Sequence, residues 1–221
     1  MISVIIPTLN EEDYILNCLQ SIRENNFRKD YEIIVVDCGS TDKTVLKANE
    51  LADKVILSSR GVSIQRNAGV RVASFDKIVF TDADITVKKN WLSKMNYLLD
   101  YNDLVYGPAH VLSEQKIIER LSEYSVEFRD FFNHLPINFL KMVNGANIGV
   151  RKKFFLELGG FDERKVSNED LDIVLRALKK GVICYDKDLL VYHSDRYINM
   201  PVIELLKYKF KVLKSGSKHE T

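Results

Sequence analysis

The sequence contains few cysteines and no long apolar run, and each lack narrows the class of protein. Its 221 residues include three cysteines, Cys18, Cys38 and Cys184, which form no Cys-x-x-Cys pair. An odd number of scattered cysteines argues against a disulfide framework and favours a reducing compartment. No apolar run reaches the roughly 18 residues of a membrane-spanning helix, and the run at residues 2–7 is too short for a signal peptide. We therefore expect a cytoplasmic protein that is neither exported nor membrane-spanning.

Net charge is also nearly absent. The chain has 32 Lys and Arg residues against 31 Asp and Glu residues, which gives a formal net charge of +1. No global field therefore attracts nucleic acid, and we expect no nucleic-acid partner. Hydrophobic residues make up 46% of the chain, which is enough for a buried core. No repeat or low-complexity linker divides the sequence, so residues 1–199 are expected to form a single domain.

The first hundred residues alternate between β-branched runs and amphipathic segments. Strands are predicted at residues 2–6, 33–36, 55–57 and 78–80. The segments between them show helical spacing of apolar residues, as at residues 62–75, and Asn10 is expected to cap the first helix. This alternation predicts an α/β fold with a doubly wound, mostly parallel sheet flanked by helices. Such sheets bind nucleotides at the carboxyl ends of their strands.

The second half is less regular. It is predicted to contain a strand at 103–110, an aromatic-rich helix at 114–134, a strand at 144–150, a helix that Asn168 caps, and short strands at 182–185 and 189–193. Residues 200–221 form a separate segment, a basic amphipathic helix at 202–214 followed by a tail. Two interpretations of this helix stay open: it lies on an anionic membrane surface, or it packs on the domain.

Two carboxylates follow the predicted strand at residues 78–80. Asp82 and Asp84 are one residue apart, so in an extended chain their side chains share a face. Hard oxygen ligands at the carboxyl edge of such a sheet suit a Mg²⁺ or Mn²⁺ ion that also holds the phosphates of a substrate. The alternative is a solvated, Asp-rich turn, because so short a motif often arises by chance.

Six segments together resemble a known family. They are Pro7-Thr8-Leu9-Asn10-Glu11-Glu12, Val35-Val36-Asp37-Cys38-Gly39-Ser40-Thr41-Asp42-Lys43-Thr44, Gln65-Arg66-Asn67-Ala68-Gly69, Thr81-Asp82-Ala83-Asp84, Gly159-Gly160-Phe161-Asp162-Glu163 and Asn168-Glu169-Asp170. In this order the segments resemble the inverting family 2 glycosyltransferases of the GT-A fold, from residue 2 to about residue 195. The resemblance implies a nucleotide-sugar-binding half at residues 1–100 and an acceptor-binding and catalytic half at residues 101–199.

The resemblance implies contacts to the donor nucleotide. Thr8, Asn10 and Glu12 would contact the nucleoside, Asp37 the base or ribose, and Arg66 the nucleotide, since a guanidinium suits phosphate geometry. The alternative for Asp37, as for Asp42, is turn formation and helix capping, and the alternative for Arg66 is ordinary surface charge. The chain also departs from the commonest family pattern, because Cys38 stands where a second Asp is frequent.

The resemblance further implies a metal site and a catalytic base. Asp84 would bind the metal directly, Asp82 would contact the ribose or a metal-bound water, and His193 would supply a third ligand that suits Mn²⁺ better than Mg²⁺. Asp170 would accept the proton of the acceptor hydroxyl, with Glu169 as the fallback. The alternatives are an acidic first helical turn for Glu169 and Asp170 and a structural role for His193.

The function implied is metal-dependent, inverting transfer of a sugar from a nucleotide sugar to a hydroxyl acceptor. The acceptor could be a glycan, a lipid-linked molecule or a small molecule, and the oligomeric state is not readable. A sugar-phosphate nucleotidyltransferase is the first alternative, but it needs a Gly-rich loop where this chain has Pro7-Thr8-Leu9-Asn10. A catalytically inactive binding protein with the same fold is the second. Peripheral contact with the cytoplasmic membrane face, through residues 200–221, stays open.

Overall fold

The computed structural model describes residues 1–111 and 143–194. The strands are Ile2–Thr8 (β1), Tyr31–Asp37 (β2), Lys54–Leu57 (β3), Lys77–Phe80 (β4), Ile85–Val87 (β5), Leu104–Tyr106 (β6), Ala109–Val111 (β7), Ile148–Arg151 (β8), Ile183–Tyr185 (β9) and Val191–His193 (β10). The helices are Ile15–Arg23 (α1), Thr44–Leu51 (α2), Val62–Val72 (α3), Trp91–Tyr101 (α4), Lys152–Glu157 (α5) and Glu169–Leu178 (α6). The helices predicted at residues 114–134 and 202–214 lie outside the described residues.

The strands form a large sheet and a small one. The large sheet has the order β3-β2-β1-β4-β8-β6-β9, and the small sheet has the order β5-β10-β7. Strands β3, β2, β1 and β4 are parallel, and so are β6 and β9, whereas β8 runs antiparallel to both of its neighbours. The α/β fold with a mostly parallel sheet and flanking helices is therefore confirmed.

Helices cover both faces of the large sheet. Alternate residues of β1 enter different clusters, with Val4 and Ile6 packing beside α1 and α4, and Ile5 packing beside α3 and α6. All three side chains are fully buried. Burial on both faces explains why β1 is a nearly continuous apolar run rather than an alternating one. No helix within the described ranges has the length and apolar character needed to cross a membrane.

The predicted helix caps are wrong. α1 begins at Ile15 rather than directly after Asn10, and Asn10 itself adopts a positive φ of 55°. Its side-chain oxygen accepts a hydrogen bond from the amide of Thr41 in the loop after β2. Asn168 does precede α6, but with φ at 59° its side chain makes no capping bond. Both asparagines thus occupy the left-handed region, which Asn tolerates better than most residues.

Several predicted elements have different boundaries, and the strand expected at 144–150 begins only at Ile148, after a 3-10 turn at Gly145–Asn147. The strand expected at 103–110 is divided, because β6 belongs to the large sheet and β7 to the small one. The chain changes sheets at Gly107, where an added Cβ would lie 2.1 Å from the carbonyl oxygen of Leu189. The helix expected at 62–75 ends at Val72. Its spacing predicts Val72 on the inward face, yet that side chain is 40% exposed.

Candidate active site

A cleft of about 550 Å³ lies at the carboxyl ends of β1 and β4. It is lined by residues 7–9, 60–62 and 82–84 together with Glu11, Cys38, Gln65 and His193. Since β1 and β4 are parallel neighbours, the loops that follow them meet at one edge of the sheet. The predicted site residues Thr8, Asp82, Asp84 and His193 therefore line one cavity.

Asp84 and His193 lie next to each other in the lining of this cleft. His193 Nδ1 is 3.7 Å from Asp84 Oδ1, which is too long for a hydrogen bond. This buried nitrogen has no hydrogen-bond partner among the described residues. Ser194 Oγ donates to Asp84 Oδ2 over 3.4 Å. A carboxylate and an imidazole nitrogen at this spacing are a donor pair that fits a divalent ion, and Mn²⁺ accepts both ligand types.

Asn144 forms a hydrogen bond with the second nitrogen of the His193 ring. Its Oδ1 accepts from the amide of Ala146, so its Nδ2 faces His193 Nε2 at 3.1 Å. That contact favours the tautomer with the proton on Nδ1. A metal bound at Nδ1 would require the other tautomer, with Asn144 presenting its oxygen instead. Residues 1–111 and 143–194 contain no group of three His, Cys, Asp or Glu arranged for a metal, so phosphates and water would complete the coordination.

Arg66 connects the cleft to the second half of the chain. Its Nη2 bonds to Asp82 Oδ1 at 2.9 Å and its Nη1 to Glu169 Oε1 at 3.0 Å. The Arg66 side chain is only 2% exposed, so the surface-charge alternative is wrong. Burial raises the pKa of the Glu169 carboxyl and Asp170 acts in the same direction, while Arg66 acts against this shift.

Asp170 lies in the first turn of α6. Its Oδ2 accepts from the amide of Gly145 over 3.0 Å, and its Oδ1 accepts from the amide of Leu171 over 2.7 Å. The preceding residue, Asn144, contacts His193. One short turn thus touches both the predicted base and the predicted metal ligand. Neither Glu169 nor Asp170 lines the cleft itself.

The other predicted nucleoside contacts hold the loops after β1 and β2 together. Glu12 Oε2 accepts from the amide of Lys43, much as Asn10 accepts from Thr41. Asp37 is 1% exposed, and its carboxylate accepts from the amides of Gly39 and Ser40 and from Thr8 Oγ1. The turn-forming alternative for Asp37 is thereby borne out by geometry. Nucleoside contact by Asn10, Glu12 and Asp37 stays a prediction.

Asp42 has the structural role that was its alternative. Its Oδ1 accepts from the amide of Thr44 over 2.9 Å, at the first residue of α2. Its Oδ2 accepts from the amide of Glu12 over 3.2 Å. Asp42 therefore starts a helix and fixes the neighbouring loop, and the prediction of turn formation and capping is confirmed.

Sequence reasoning missed two residues beside Arg66. Gln65 Nε2 donates to the carbonyls of Thr8 and Val36, at the ends of β1 and β2. Asn67 donates to the carbonyl of Phe161 and accepts from its amide. Three consecutive residues of α3 thus hold three different parts of the site. Their signal was the segment Gln65-Arg66-Asn67, in which three polar residues occupy what becomes a buried helical turn.

Comparison with known proteins identifies the family. Residues 3–158, well over half of the chain, match the sequence profile described as "Glycosyl transferase family 2". The chain belongs to glycosyl transferase family 2. It is 26% identical over 226 residues to glycosyltransferase AglE of Haloferax volcanii, and the aligned region covers 96% of this chain and 71% of AglE. It is 23% identical over 241 residues to the amylovoran biosynthesis glycosyltransferase AmsB of Erwinia amylovora, which covers 99% and 78%. The chain is a glycosyltransferase, and the nucleotidyltransferase alternative is not supported.

Solved structures of glycosyltransferases share the fold. S. aureus TarS in complex with UDP-GlcNAc matches with a TM-score of 0.68 and 22% identity, over 88% of this chain and 58% of that one. Glucosyl-3-phosphoglycerate synthase of Mycobacterium tuberculosis, in complex with Mn²⁺, UDP and glucosyl-3-phosphoglycerate, matches with a TM-score of 0.68 and 20% identity, over 97% and 78%. At these identities the likeness establishes the GT-A fold of this family 2 glycosyltransferase.

Proposed function

We propose that this glycosyltransferase transfers a sugar from a nucleoside-diphosphate sugar to a hydroxyl acceptor, in a metal-dependent reaction that inverts the anomeric centre. One observation carries the proposal. Asp84 and His193 are neighbours in the lining of the cleft, and Arg66 bonds both Asp82 at that cleft and Glu169, the neighbour of Asp170. This arrangement supports a single site in which the predicted metal ligands and the candidate base act together.

The shape of the cleft supports a nucleotide-sized ligand. Its volume of about 550 Å³ is within the range of small-molecule sites, which is roughly 300–1,000 Å³. Asp84 and His193 suit the diphosphate end, and the opposite lining at Thr8, Cys38 and Arg60 suits the nucleoside. TarS holds UDP-GlcNAc and the mycobacterial synthase holds UDP with Mn²⁺, which supports a nucleoside diphosphate here as well.

The metal would be held by Asp84, with His193 as a second ligand and Asp82 at its side. When bound, a divalent cation neutralises the negative charge that develops on a diphosphate leaving group. The described cleft supplies little positive charge of its own, because Glu11, Asp82 and Asp84 line it against Arg60. A divalent cation would also reduce the repulsion between these carboxylates and the diphosphate.

The transfer is a single displacement. The acceptor oxygen forms a bond to the anomeric carbon while the bond from that carbon to the diphosphate oxygen breaks, and the diphosphate leaves with the electron pair. Asp170 takes the proton from the acceptor hydroxyl. Because only one displacement occurs, an α-linked donor gives a β-linked product.

Asp170 fits the role of base better than Glu169 does. The Glu169 carboxylate is bonded to the buried Arg66 guanidinium, and accepting a proton would break up that ion pair. Asp170 is bonded only to backbone amides among the contacts described above, and it lies in the first turn of α6. A carboxylate held by backbone amides can take up a proton without breaking an ion pair.

The proposal also covers the acceptor molecule and the cellular location of the protein. We assign donor binding to residues 1–100 and acceptor binding to residues 101–199, with a glycan, a lipid-linked molecule or a small molecule as acceptor. The protein works in the cytoplasm, and residues 200–221 bring it to the membrane surface. Five lysines in that segment, Lys207, Lys209, Lys211, Lys214 and Lys218, give it the charge to bind anionic lipid.

A thermal-shift panel tests the proposal. The protein is melted with UDP, GDP, CDP and ADP, and with UDP-GlcNAc and GDP-mannose, each with and without Mn²⁺. A nucleotide that binds the folded state raises the melting temperature by mass action. We expect at least one diphosphate to stabilise the protein only when Mn²⁺ is present. A panel in which no nucleoside diphosphate shifts the melting temperature with Mn²⁺ present would favour a binding protein that has kept the fold without the activity.

A further inference from the structure

Arg66 is buried, yet it belongs to neither the core nor the cleft lining. Its side chain is 2% exposed, and it is not among the residues that line the 550 Å³ cavity. Both terminal nitrogens are bonded to carboxylates, Nη2 to Asp82 at 2.9 Å and Nη1 to Glu169 at 3.0 Å. Neither terminal nitrogen is free for a nucleotide while these two bonds are present. Direct nucleotide contact stays a prediction from the family resemblance, and the two bonds indicate another role for this side chain.

We propose that Arg66 is a positioning residue that fixes the start of α6, and with it Asp170, relative to the donor cleft. The inference rests on the proposed function and adds to it the group that holds the two halves of the site in register. Arg66 touches no reacting atom in this account. It acts through Asp82 on the cleft side and through Glu169 on the α6 side.

The surroundings are shaped to hold a guanidinium in one orientation. Its central carbon lies 5.4 Å from the centre of the Phe161 ring, in the range of a cation–π contact. Gly145 packs against its other end, where an added Cβ would lie 2.6 Å from Nη1. The amide of the same Gly145 donates to Asp170 Oδ2. The planar fork of Arg can bond both carboxylates at once, whereas the single ammonium of Lys has no such geometry.

A second bond network from the same helix acts in the same direction. Asn67, the next residue of α3, bonds the amide and the carbonyl of Phe161 and donates to Glu163 Oε1. α3 therefore holds the segment before α6 at Phe161 and holds α6 itself at Glu169. With Arg66 removed, the Asn67 contacts still retain the segment, but the first turn of α6 loses its connection to Asp82. The expected loss is in catalysis and not in nucleotide binding.

Lys replacements at two positions of α3 provide the first test. Arg66→Lys keeps the positive charge but not the fork, and Arg71→Lys makes the same change at a side chain that is 63% exposed. Calorimetry with UDP and GDP in the presence of Mn²⁺ measures binding, and release of the diphosphate from UDP-GlcNAc and GDP-mannose measures turnover. We expect Arg66→Lys to change the dissociation constant by less than about threefold and to lower kcat by about a hundredfold, because misplacement by about 1 Å has effects of this size. Arg71→Lys should change neither. If Arg66→Lys instead raises the dissociation constant and leaves kcat unchanged, Arg66 is a nucleotide contact and the proposal is overturned.

A second test needs no substrate and so separates the Arg66 assignment from the proposed function. Asp82→Asn, Glu169→Gln and the double variant are unfolded in urea without metal. Removing either carboxylate leaves Arg66 one partner, but removing both leaves a buried charge unpaired. The urea concentration at the midpoint of unfolding should therefore fall further in the double variant than the sum of the falls in the two single variants. In an Arg66→Met background this excess should disappear. Additive shifts in both backgrounds would contradict the connection, whether or not any donor is turned over.

Gly145→Ala keeps the assignment testable if Arg66→Met does not fold. Its methyl group would displace the guanidinium while every charged residue remains in place. We expect this variant to reproduce the effects of Arg66→Lys, with turnover lowered and nucleotide affinity retained. In the Gly145→Ala background, the double variant Asp82→Asn/Glu169→Gln should also lose less stability beyond the sum of the single variants. Wild-type turnover together with an unchanged excess would overturn the proposal. If wild-type protein turns over no donor, the proposed function fails, and the double-mutant cycle measured by urea unfolding alone decides the role of Arg66.

Discussion

Asp82 and Glu169 are bonded to the two terminal nitrogens of the same guanidinium, that of Arg66. Asp82 follows β4 at the donor cleft, and Glu169 begins α6 beside Asp170. The two carboxylates come from different halves of the chain, so this shared partner gives the cleft a fixed relation to the helix that carries the candidate base Asp170.

Asp84→Asn is expected to abolish the Mn²⁺-dependent part of nucleotide binding. The substitution keeps the size of the side chain but removes the charge that a hard divalent cation requires. We expect any thermal shift with UDP or GDP to become the same with and without Mn²⁺. Asp188→Asn is the matched control, because the Asp188 side chain is 74% exposed and does not line the cleft. An unchanged metal dependence in Asp84→Asn would remove Asp84 from the metal site.

Asp170→Asn is expected to retain donor binding and to stop turnover. General-base catalysis contributes about 10²- to 10⁴-fold, so we expect kcat to fall by that factor. Calorimetry and donor turnover measured on the same preparation separate binding from chemistry. Asp172→Asn is the control on the same helix, since that carboxylate is bonded to Arg176. A variant at Asp170 with normal kcat would transfer the role of base to another group.

His193→Ala is expected to change the choice of metal. A neutral imidazole suits Mn²⁺ better than Mg²⁺, whereas the remaining carboxylate at Asp84 suits both. The loss of nucleotide affinity should therefore be larger with Mn²⁺ than with Mg²⁺. Thermal shifts measured across a concentration series of each metal check this expectation. Equal losses with both metals would favour a structural role, in which His193 serves mainly as the partner of Asn144.

Glu32 gives a prediction for stability against pH. Burial alone would raise the pKa of the Glu32 carboxyl, but hydrogen bonds from Lys54, Ser3 and the Ser74 amide outweigh this and lower the pKa. A carboxyl whose pKa is lowered by folding stabilises the protein above its unfolded pKa of about 4.3, and this contribution is lost as the pH falls through the folded-state value. Glu32→Gln should therefore lower the free energy of unfolding by about 1–3 kcal/mol at neutral pH.

The difference between Glu32→Gln and wild type should shrink in acid, as the pH falls below the unfolded-state pKa and toward the lowered folded-state pKa. Urea unfolding at neutral pH and at about pH 3 measures it. Glu50→Gln, at an exposed position, is the control and should have no effect at either pH. A difference that is the same at both pH values would mean that the carboxylate charge of Glu32 does not stabilise the fold.

Removal of residues 200–221 tests the membrane proposal. The lysines in that segment should bind vesicles that contain anionic lipid, with about 1 kcal/mol for each lysine near the surface. We expect truncation to reduce sedimentation with such vesicles much more than it reduces UDP or GDP binding. Vesicle binding that is unchanged by truncation would assign the contact to another surface or to none.

Local sequence patterns predicted the first half of the fold. β1, β2 and β4 were visible because a strand buried on both faces needs an uninterrupted apolar run. The antiparallel direction of β8 could not be predicted, because the sequence of a short strand does not indicate the direction in which it pairs. Its pairing with β4 depends on residues far apart in the chain. The split between β6 and β7 depends on the close approach of Gly107 to Leu189, which no local pattern contains.

The candidate site was predicted by residue but not by role. Asp82 and Asp84 line the cleft because they follow β4 at the carboxyl edge of the sheet, and His193 reaches it as the last residue of β10, which pairs with β5. The apolar spacing of α3 failed, because it treats Gln65 and Arg66 as outward-facing. Both are buried by bonds to partners distant in sequence, Thr8 and Val36 for Gln65 and two carboxylates for Arg66. Such partners become evident only when the chain is folded.

A crystal structure with Mn²⁺ and the nucleoside diphosphate that stabilises the protein most tests the central claim most directly. Anomalous scattering locates the manganese without reference to any expected ligand. The account predicts a peak at about 2.1 Å from an Asp84 oxygen, which is the usual length of such a bond, with the diphosphate in the cleft and Asp170 facing the position of the sugar. A peak away from Asp84, or a nucleotide bound outside the cleft, would contradict it.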